Sequence, residues 1–209
     1  MIVKEIMKTD LKTVLPSATI YDAVRIMKTH NLRHLPVVNE SFHLLGIISD
    51  RDLRDEGVDV FQMEDNNELQ NAVATVMSTN LITGTPLDFI EEAAALLYEF
   101  KIGCLPIVLN KKLVGIITGT DILNTFVQIT GSHKPSSRIE IRIPNIPGIL
   151  CPITYVFQRR RLNIISILLY PAEDEKHDRL VIRVQAMNTD AIVKELKEEG
   201  FDVIWPETL

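Results

Sequence analysis

The chain has 209 residues, 46% of them hydrophobic and 24% charged, with 28 acidic residues against 22 Lys and Arg and a net charge of −6. That balance suits a soluble globular protein with a sizeable core, at this length two compact units, and argues against nucleic acid as the main partner. No apolar run approaches the roughly 20 residues that span a bilayer, Met1–Glu5 lacks the apolar region of a signal peptide, and Cys104 and Cys151, far apart and without neighbouring His, read as reduced buried thiols of a cytoplasmic protein.

In chain order, a short strand at Leu11–Val14 ends in the turn at Pro16. Thr19 is placed to cap the next helix, with Asp22 three residues on. Ile20, Ala23, Val24 and Met27 form that helix's apolar face. Strands Leu35–Asn39 and Leu44–Ser49 follow, then a second helix from Asp50. Glu56–Glu68, rich in Asp, Glu and Asn, reads as a surface loop that Val58, Val60, Phe61 and Met63 tuck down.

The same order then recurs. Leu81–Thr83 is a strand, and Asp88 precedes a helix with Ile90, Ala93, Ala94 and Leu97 on one face. Leu105–Leu109 and Leu113–Thr118 form a hairpin through Asn110-Lys111-Lys112, and a last helix runs from about Thr120 to Ile129. Val3-Lys4-Glu5-Ile6-Met7 is echoed by Val73-Ala74-Thr75-Val76-Met77, and Leu35-Pro36-Val37-Val38 by Leu105-Pro106-Ile107-Val108. The offset is 70 through these landmarks and 69 at the glycine motif described below, so one residue is lost in a hairpin. Residues 1–130 are two copies of one β-α-β-β-α unit.

Gly131, Pro135 and three serines mark 131–137 as a linker. Beyond it, Arg138–Ile143 alternates as a half-buried strand should. Asn145-Ile146-Pro147-Gly148 leads into a helix reaching about Arg161, with Pro147 near its first position. Asn163–Tyr170 and Leu180–Val184 are strands. Thr189–Glu199 is a helix with Asp190 in its first turn and Gly200 at its end, and Phe201–Trp205 is a final strand. The order β-α-β-β-α-β is ferredoxin-like. The expected fold class is α+β, with domains at 1–68, 69–130 and 138–209.

The chemistry concentrates at a duplicated strand-to-helix junction. Gly46-Ile47-Ile48-Ser49-Asp50-Arg51-Asp52 recurs as Gly115-Ile116-Ile117-Thr118-Gly119-Thr120-Asp121. A carboxylate there can accept from vicinal ribose hydroxyls, and the Ser or Thr hydroxyl, with free N–H groups of the new helix, can hold an anion. The same residues can equally cap their helices.

The duplicated unit resembles a tandem pair of CBS domains, on Met7/Met77, Pro16/Pro86, the two Leu-Pro motifs and the two junctions. The C-terminal unit resembles an ACT domain, on Asn145-Ile146-Pro147-Gly148-Ile149-Leu150 and Asn163-Ile164. The whole order resembles acetoin-utilisation proteins of Gram-positive bacteria, which implies a link to acetoin or butanediol catabolism. The CBS resemblance implies two clefts about a pseudo-twofold axis, with adenosyl ligands such as AMP or ATP. It makes Asp52 and Asp121 the ribose acids and Ser49 and Thr118 the hydroxyls near phosphate. Backbone around Val14 and Leu35-Pro36, and around Ile82 and Leu105-Pro106, would flank adenine. Arg33, His34 and Arg51 are the phosphate-reaching cations, each worth about 1.5–3 kcal/mol in a charge-assisted contact. Copy two has Gly103, Cys104 and Thr120 in their places, so the cleft that these cations reach should be the tighter. The ACT resemblance implies an effector site at Asn145, Gly148, Ile149 and Leu150, although the family usually has Asp where Asn145 stands.

Catalysis finds no support. Gly-x-x-x-x-Gly-Lys, Gly-x-Ser-x-Gly and His-Glu-x-x-His patterns are lacking, and His30, His34, His43, His133 and His177 share no spacing. The reading is a regulatory, homodimeric adenine-nucleotide sensor with no cofactor or metal, its ACT unit pairing or reporting to a protein partner. A ligand-free scaffold and an amino-acid sensor are the alternatives.

Overall fold

The computed structural model describes residues 1–55, 67–172, 174 and 176–206. The chain forms two compact units, Met1–Leu123 and Asn124–Leu209. The expected loop at Glu56–Glu68, with Val58, Val60, Phe61 and Met63, falls almost wholly outside the described residues.

The first unit contains α1 (Ile20–His30), β1 (His34–Val38), β2 (Leu44–Ser49) and α2 (Asp50–Asp55), then α3 (Ile90–Glu99), β3 (Cys104–Leu109), β4 (Lys112–Thr118) and the start of α4 (Gly119–Thr130). Helix α1 begins where its cap predicts. The Thr19 hydroxyl accepts from the Asp22 N–H at 3.1 Å, and the Asp22 carboxylate accepts from the Thr19 N–H at 3.4 Å. Ile20, Ala23, Val24 and Met27 are buried on its inner face. In the second copy the Glu92 carboxylate accepts from the Phe89 N–H at 3.0 Å to start α3, while Asp88 holds the preceding turn by accepting from the Thr85 N–H at 2.7 Å.

Each copy folds a two-stranded antiparallel hairpin, β1–β2 and β3–β4. The second closes over Asn110 and Lys111, at φ 52° and 65°. Both central residues of a tight type I′ turn require that sign, and the turn's twist matches the strands. Val38 pairs Leu44 where Val108 pairs Leu113, so the residue lost between copies is indeed in the hairpin.

The expected strands Leu11–Val14 and Leu81–Thr83 do not form. Each is reduced to one parallel bridge beside it, Val14 with Val37 and Gly84 with Ile107. Pro16 and Pro86, two residues further on, turn the chain away before a ladder can extend.

The leading segments are exchanged between copies. Lys8 pairs with Ile116 of β4, while Ser78 pairs with Ile47 of β2. Val3 and Lys4 donate to the carbonyls of Asp88 and Pro86, and Val73 and Ala74 donate to those of Ala18 and Pro16. This exchange explains two of the repeated landmarks. Met77 lies over Gly46, where a Cβ would stand 2.6 Å from its sulfur, and Met7 lies as closely over Gly115. The glycine that opens each junction motif therefore makes room for the other copy's methionine. Two apolar clusters result, one around Met27, Leu35, Ile48 and Val73 and one around Val3, Leu105, Ile107 and Ile117.

The second unit is a four-stranded antiparallel sheet in the order β6 (Ile164–Pro171), β7 (His177–Val184), β5 (Ser137–Pro144), β8 (Asp202–Trp205), with helices α5 (Leu150–Arg159) and α6 (Asp190–Glu198). This is the ferredoxin-like arrangement that the element order predicts. Ile139, Ile141 and Ile143 meet Leu180, Ile182 and Phe157 in its core.

Three local expectations are corrected here. Helix α5 starts at Leu150, because Gly148 at φ 83° holds a left-handed turn, so Pro147 lies before the helix rather than inside it. Cys151 is exposed, since Ile153, Val156 and Phe157 take the inner face of α5. The Gly-Ser-Pro stretch is also tied down at its start. The Thr130 carbonyl accepts from the Ser166 hydroxyl at 2.7 Å, and Gly131, at φ 67°, packs against Ile165.

Candidate functional site

In the first unit a cleft of about 480 Å³ opens between the two copies. One wall is the first junction, with Ser49, Asp50, Arg51 and Asp52, continued by Arg54 along α2. The other wall comes from the second copy, with Ser78, Asn80, Leu81 and Ile82 and the turn Lys101–Cys104. Arg33 and His34 stand at the start of β1 between them.

The junction acid is held by local hydrogen bonds. Asp52 Oδ2 accepts from the Ser49 N–H at 2.7 Å and from the Ser49 hydroxyl at 2.7 Å, and the Asp52 N–H donates to Ser49 Oγ at 3.2 Å. This is a capping box. It also aims the carboxylate, because only one oxygen is used. Among the described residues Asp52 Oδ1 has no hydrogen-bond partner, and the residue lines the cleft.

The second junction repeats the box. Asp121 Oδ2 accepts from the Thr118 N–H at 2.8 Å and from its hydroxyl at 2.6 Å. Here the other oxygen is taken, since Lys8 Nζ lies 3.1 Å from Asp121 Oδ1. Burial pushes the Asp121 pKa up, but the Thr118 hydrogen bonds and the Lys8 ammonium outweigh it, and the carboxyl titrates below its ordinary range.

The cleft is cationic. Arg33, Arg51, Arg54 and Lys101 are four full cations against Asp50 and Asp52, and Arg54 leans 3.5 Å from Asp50. His34 is displaced downward in pKa. Burial disfavours its charged form, Asp50 and Asp52 oppose that, and Arg33 adds to it. Its ring packs on Gly103, where a Cβ would stand 2.6 Å from His34 Nε2, so the second copy's glycine is the space the imidazole needs. Cys104 beside it is buried and its thiol is pushed up to about 12, so it stays protonated.

Six of the residues expected at the nucleotide are thus brought to one cleft, namely Arg33, His34, Ser49, Arg51, Asp52 and Ile82. Val14, Leu35, Pro36, Leu105 and Pro106 are buried outside its lining. Val14 donates to the Pro36 carbonyl and accepts from the Val38 N–H, so both its backbone groups are already used. The Pro106 carbonyl likewise accepts from the Gly84 N–H. Thr118 and Asp121 lie at the second junction. Ser78, Asn80, Arg54 and Lys101 are additions that sequence reasoning missed. Arg54 had a signal, being one helical turn from Arg51. Lys101 had none, because it reaches the cleft from a left-handed residue at φ 52° just beyond α3.

In the second unit, Asn145 and Gly148 sit in an exposed turn where Asn145 donates to the Lys176 carbonyl at 3.0 Å. Ile149 and Leu150 lean on the core. Among the described residues no cluster of His, Cys, Asp and Glu is placed to hold a metal ion, and no helix is long and apolar enough to cross a membrane.

The CBS domain family matches twice, at residues 3–59 and 73–128. The chain belongs to the CBS-domain family. Its C-terminal part, residues 139–204, matches the AHAS small subunit-like ACT domain. A CBS domain-containing protein of Bacillus subtilis, YhcV, is 37% identical over 120 residues, 57% of this chain and 81% of that protein. Among solved structures, a protein assigned to acetoin utilization (AcuB) from Vibrio cholerae aligns with a TM-score of 0.56 at 30% identity, over 66% of this chain and 98% of its own. The structure of CBSX2 in complex with AMP aligns with a TM-score of 0.54 at 28% identity, over 62% of this chain and 98% of its own. The CBS pair followed by an ACT-like domain is therefore the architecture of the chain.

Proposed function

We propose that the CBS pair is a regulatory sensor of adenine nucleotides, and that its first cleft is the binding site. The observation that carries this reading is Asp52. One carboxylate oxygen is fixed by Ser49, and the other has no partner among the described residues. A vicinal pair of ribose hydroxyls needs such an acceptor. Arg33, Arg51, Arg54 and Lys101 supply the positive field that a phosphate group seeks, and Ile82 offers an apolar flank for the base. The AMP bound to CBSX2, a structure that shares this fold, supports the same ligand class.

Nucleotide binding then acts by its different affinity for two arrangements of the protein. The likeness to the Vibrio cholerae protein supports acetoin or butanediol catabolism as the setting. A homodimer is part of the reading, supported by the exposed apolar stripe Leu123, Phe126 and Val127 on α4.

Calorimetry and thermal unfolding with AMP, ADP, ATP and S-adenosylmethionine test the sensor. At a ligand concentration 100 times Kd, one site adds about 2.7 kcal/mol to stability. Asp52→Ala should weaken AMP binding at least about tenfold, while the lost cap costs only about 1 kcal/mol of stability. The capping box itself favours a second reading, a ligand-free scaffold in which Asp52 serves the fold alone. That reading gains if the panel is silent; if instead Asp52→Ala unfolds the protein while its folded fraction binds AMP normally, Asp52 is a cap alone and the nucleotide is held by other residues.

A further inference from the structure

We propose that Lys8 is a tethered cation that closes the second junction, so that the chain takes one adenine nucleotide rather than two. This rests on the nucleotide reading of the first cleft and concerns the residue that sets its stoichiometry. The exchange of leading segments places positions 8 and 78 equivalently. Lys8 pairs with Ile116 and Ser78 with Ile47, each two residues before its junction's Thr118 or Ser49. Each therefore stands beside the junction acid of the other copy. At the first junction this neighbour is Ser78, a short neutral side chain on the cleft wall. At the second it is Lys8, 3.1 Å from Asp121 Oδ1.

With Thr118 holding Oδ2, both oxygens of Asp121 are engaged. A ribose arriving there must displace the ammonium from a carboxylate whose side chain is only 14% exposed. The surrounding positions change in the same sense. Where the first cleft has Asn80 and Ile82, the second junction has Asp10 and Lys12, paired to each other at 2.9 Å. Where the first has Arg51 and Arg54, the second has Thr120 and Leu123. The acceptor is thus retained but engaged, and the flank and the junction's own cations differ beside it. The Lys8 side chain is itself 60% exposed, so its ion pair contributes little to the fold. Substituting it should leave the protein folded.

The test is a calorimetric titration of the full chain with AMP, comparing wild type with Lys8→Ser, which copies Ser78, and with Lys8→Ala as an independent variant. Thermal unfolding of each confirms the fold. The expected result is one AMP per wild-type chain and two per variant chain, the added site disappearing again in Lys8→Ser/Asp121→Asn. Two AMP per wild-type chain would overturn the latch with the nucleotide reading intact. So would a single AMP in both folded variants. No AMP bound by any of the proteins would overturn latch and sensor together. A site appearing only in the variants would uphold the latch and overturn the first cleft.

Discussion

One oxygen of Asp52 closes a capping box and the other has no partner among the described residues, so in the proposed reading a single side chain serves the fold and the ligand at once. The proposed reading puts Arg51 at the phosphate end, and Arg51→Ala should then weaken ATP about 10- to 100-fold, the loss of one charge-assisted contact, while adenosine is little affected. Equal losses for ATP and adenosine, measured by titration, would remove that role. His34 gives a pH dependence. Its pKa in the fold lies below the ordinary 6.5, chiefly because burial disfavours the charge. The unfolded chain then binds more protons, so this residue's contribution to stability is complete above pH 6.5 and is lost as pH falls through the folded value. A bound phosphate would raise that pKa, so binding should take up a proton on the acid side of neutrality. The nucleotide's own phosphate also titrates in mildly acidic solution, so the diagnostic quantity is the difference between wild type and His34→Asn. Calorimetry in buffers of different ionisation enthalpy should show less proton uptake for the variant.

At the scale of elements, local signals were readable and long-range pairings were not. The Thr19–Asp22 box, the Asn110-Lys111 turn and the alternation of Ile139, Ile141 and Ile143 each lie within a few residues of chain. Their chemistry is written there in full. The short strand before Pro16 failed because a single bridge to Val37 has the same local composition as a ladder. The exchange of leading segments left no periodicity to read. Its trace was indirect, in the joint recurrence of Met7 and Met77 with Gly115 and Gly46. That pairing gives a stability prediction. Gly46→Ala sets a methyl 2.6 Å from the Met77 sulfur and 3.1 Å from the Ser78 carbonyl oxygen, and should cost about 1–3 kcal/mol in overpacking. Chemical denaturation measures it. Combining it with Met77→Ala should cost less than the two substitutions summed, and strict additivity would mean that the two residues do not meet as described.

Across the whole molecule, the duplication was plain in the sequence and the inequality of its halves was only partly so. Arg33, His34 and Arg51 against Gly103, Cys104 and Thr120 announced which half carries the cations. Lys8 against Asp121 did not, because that contact joins the start of one copy to the end of the other. The result is a pseudo-symmetric pair with one junction acid half open and one doubly engaged. The ACT-like unit was legible as a fold from its strand and helix order, and its turn at Asn145 and Gly148 is exposed. A crystal structure of the full chain grown with AMP tests this account most directly. It should show the ribose hydroxyls on Asp52 and the phosphate turned toward Arg33 and Arg51, with Lys8 still on Asp121. AMP seated on Asp121, or bound with its ribose away from Asp52, would contradict it.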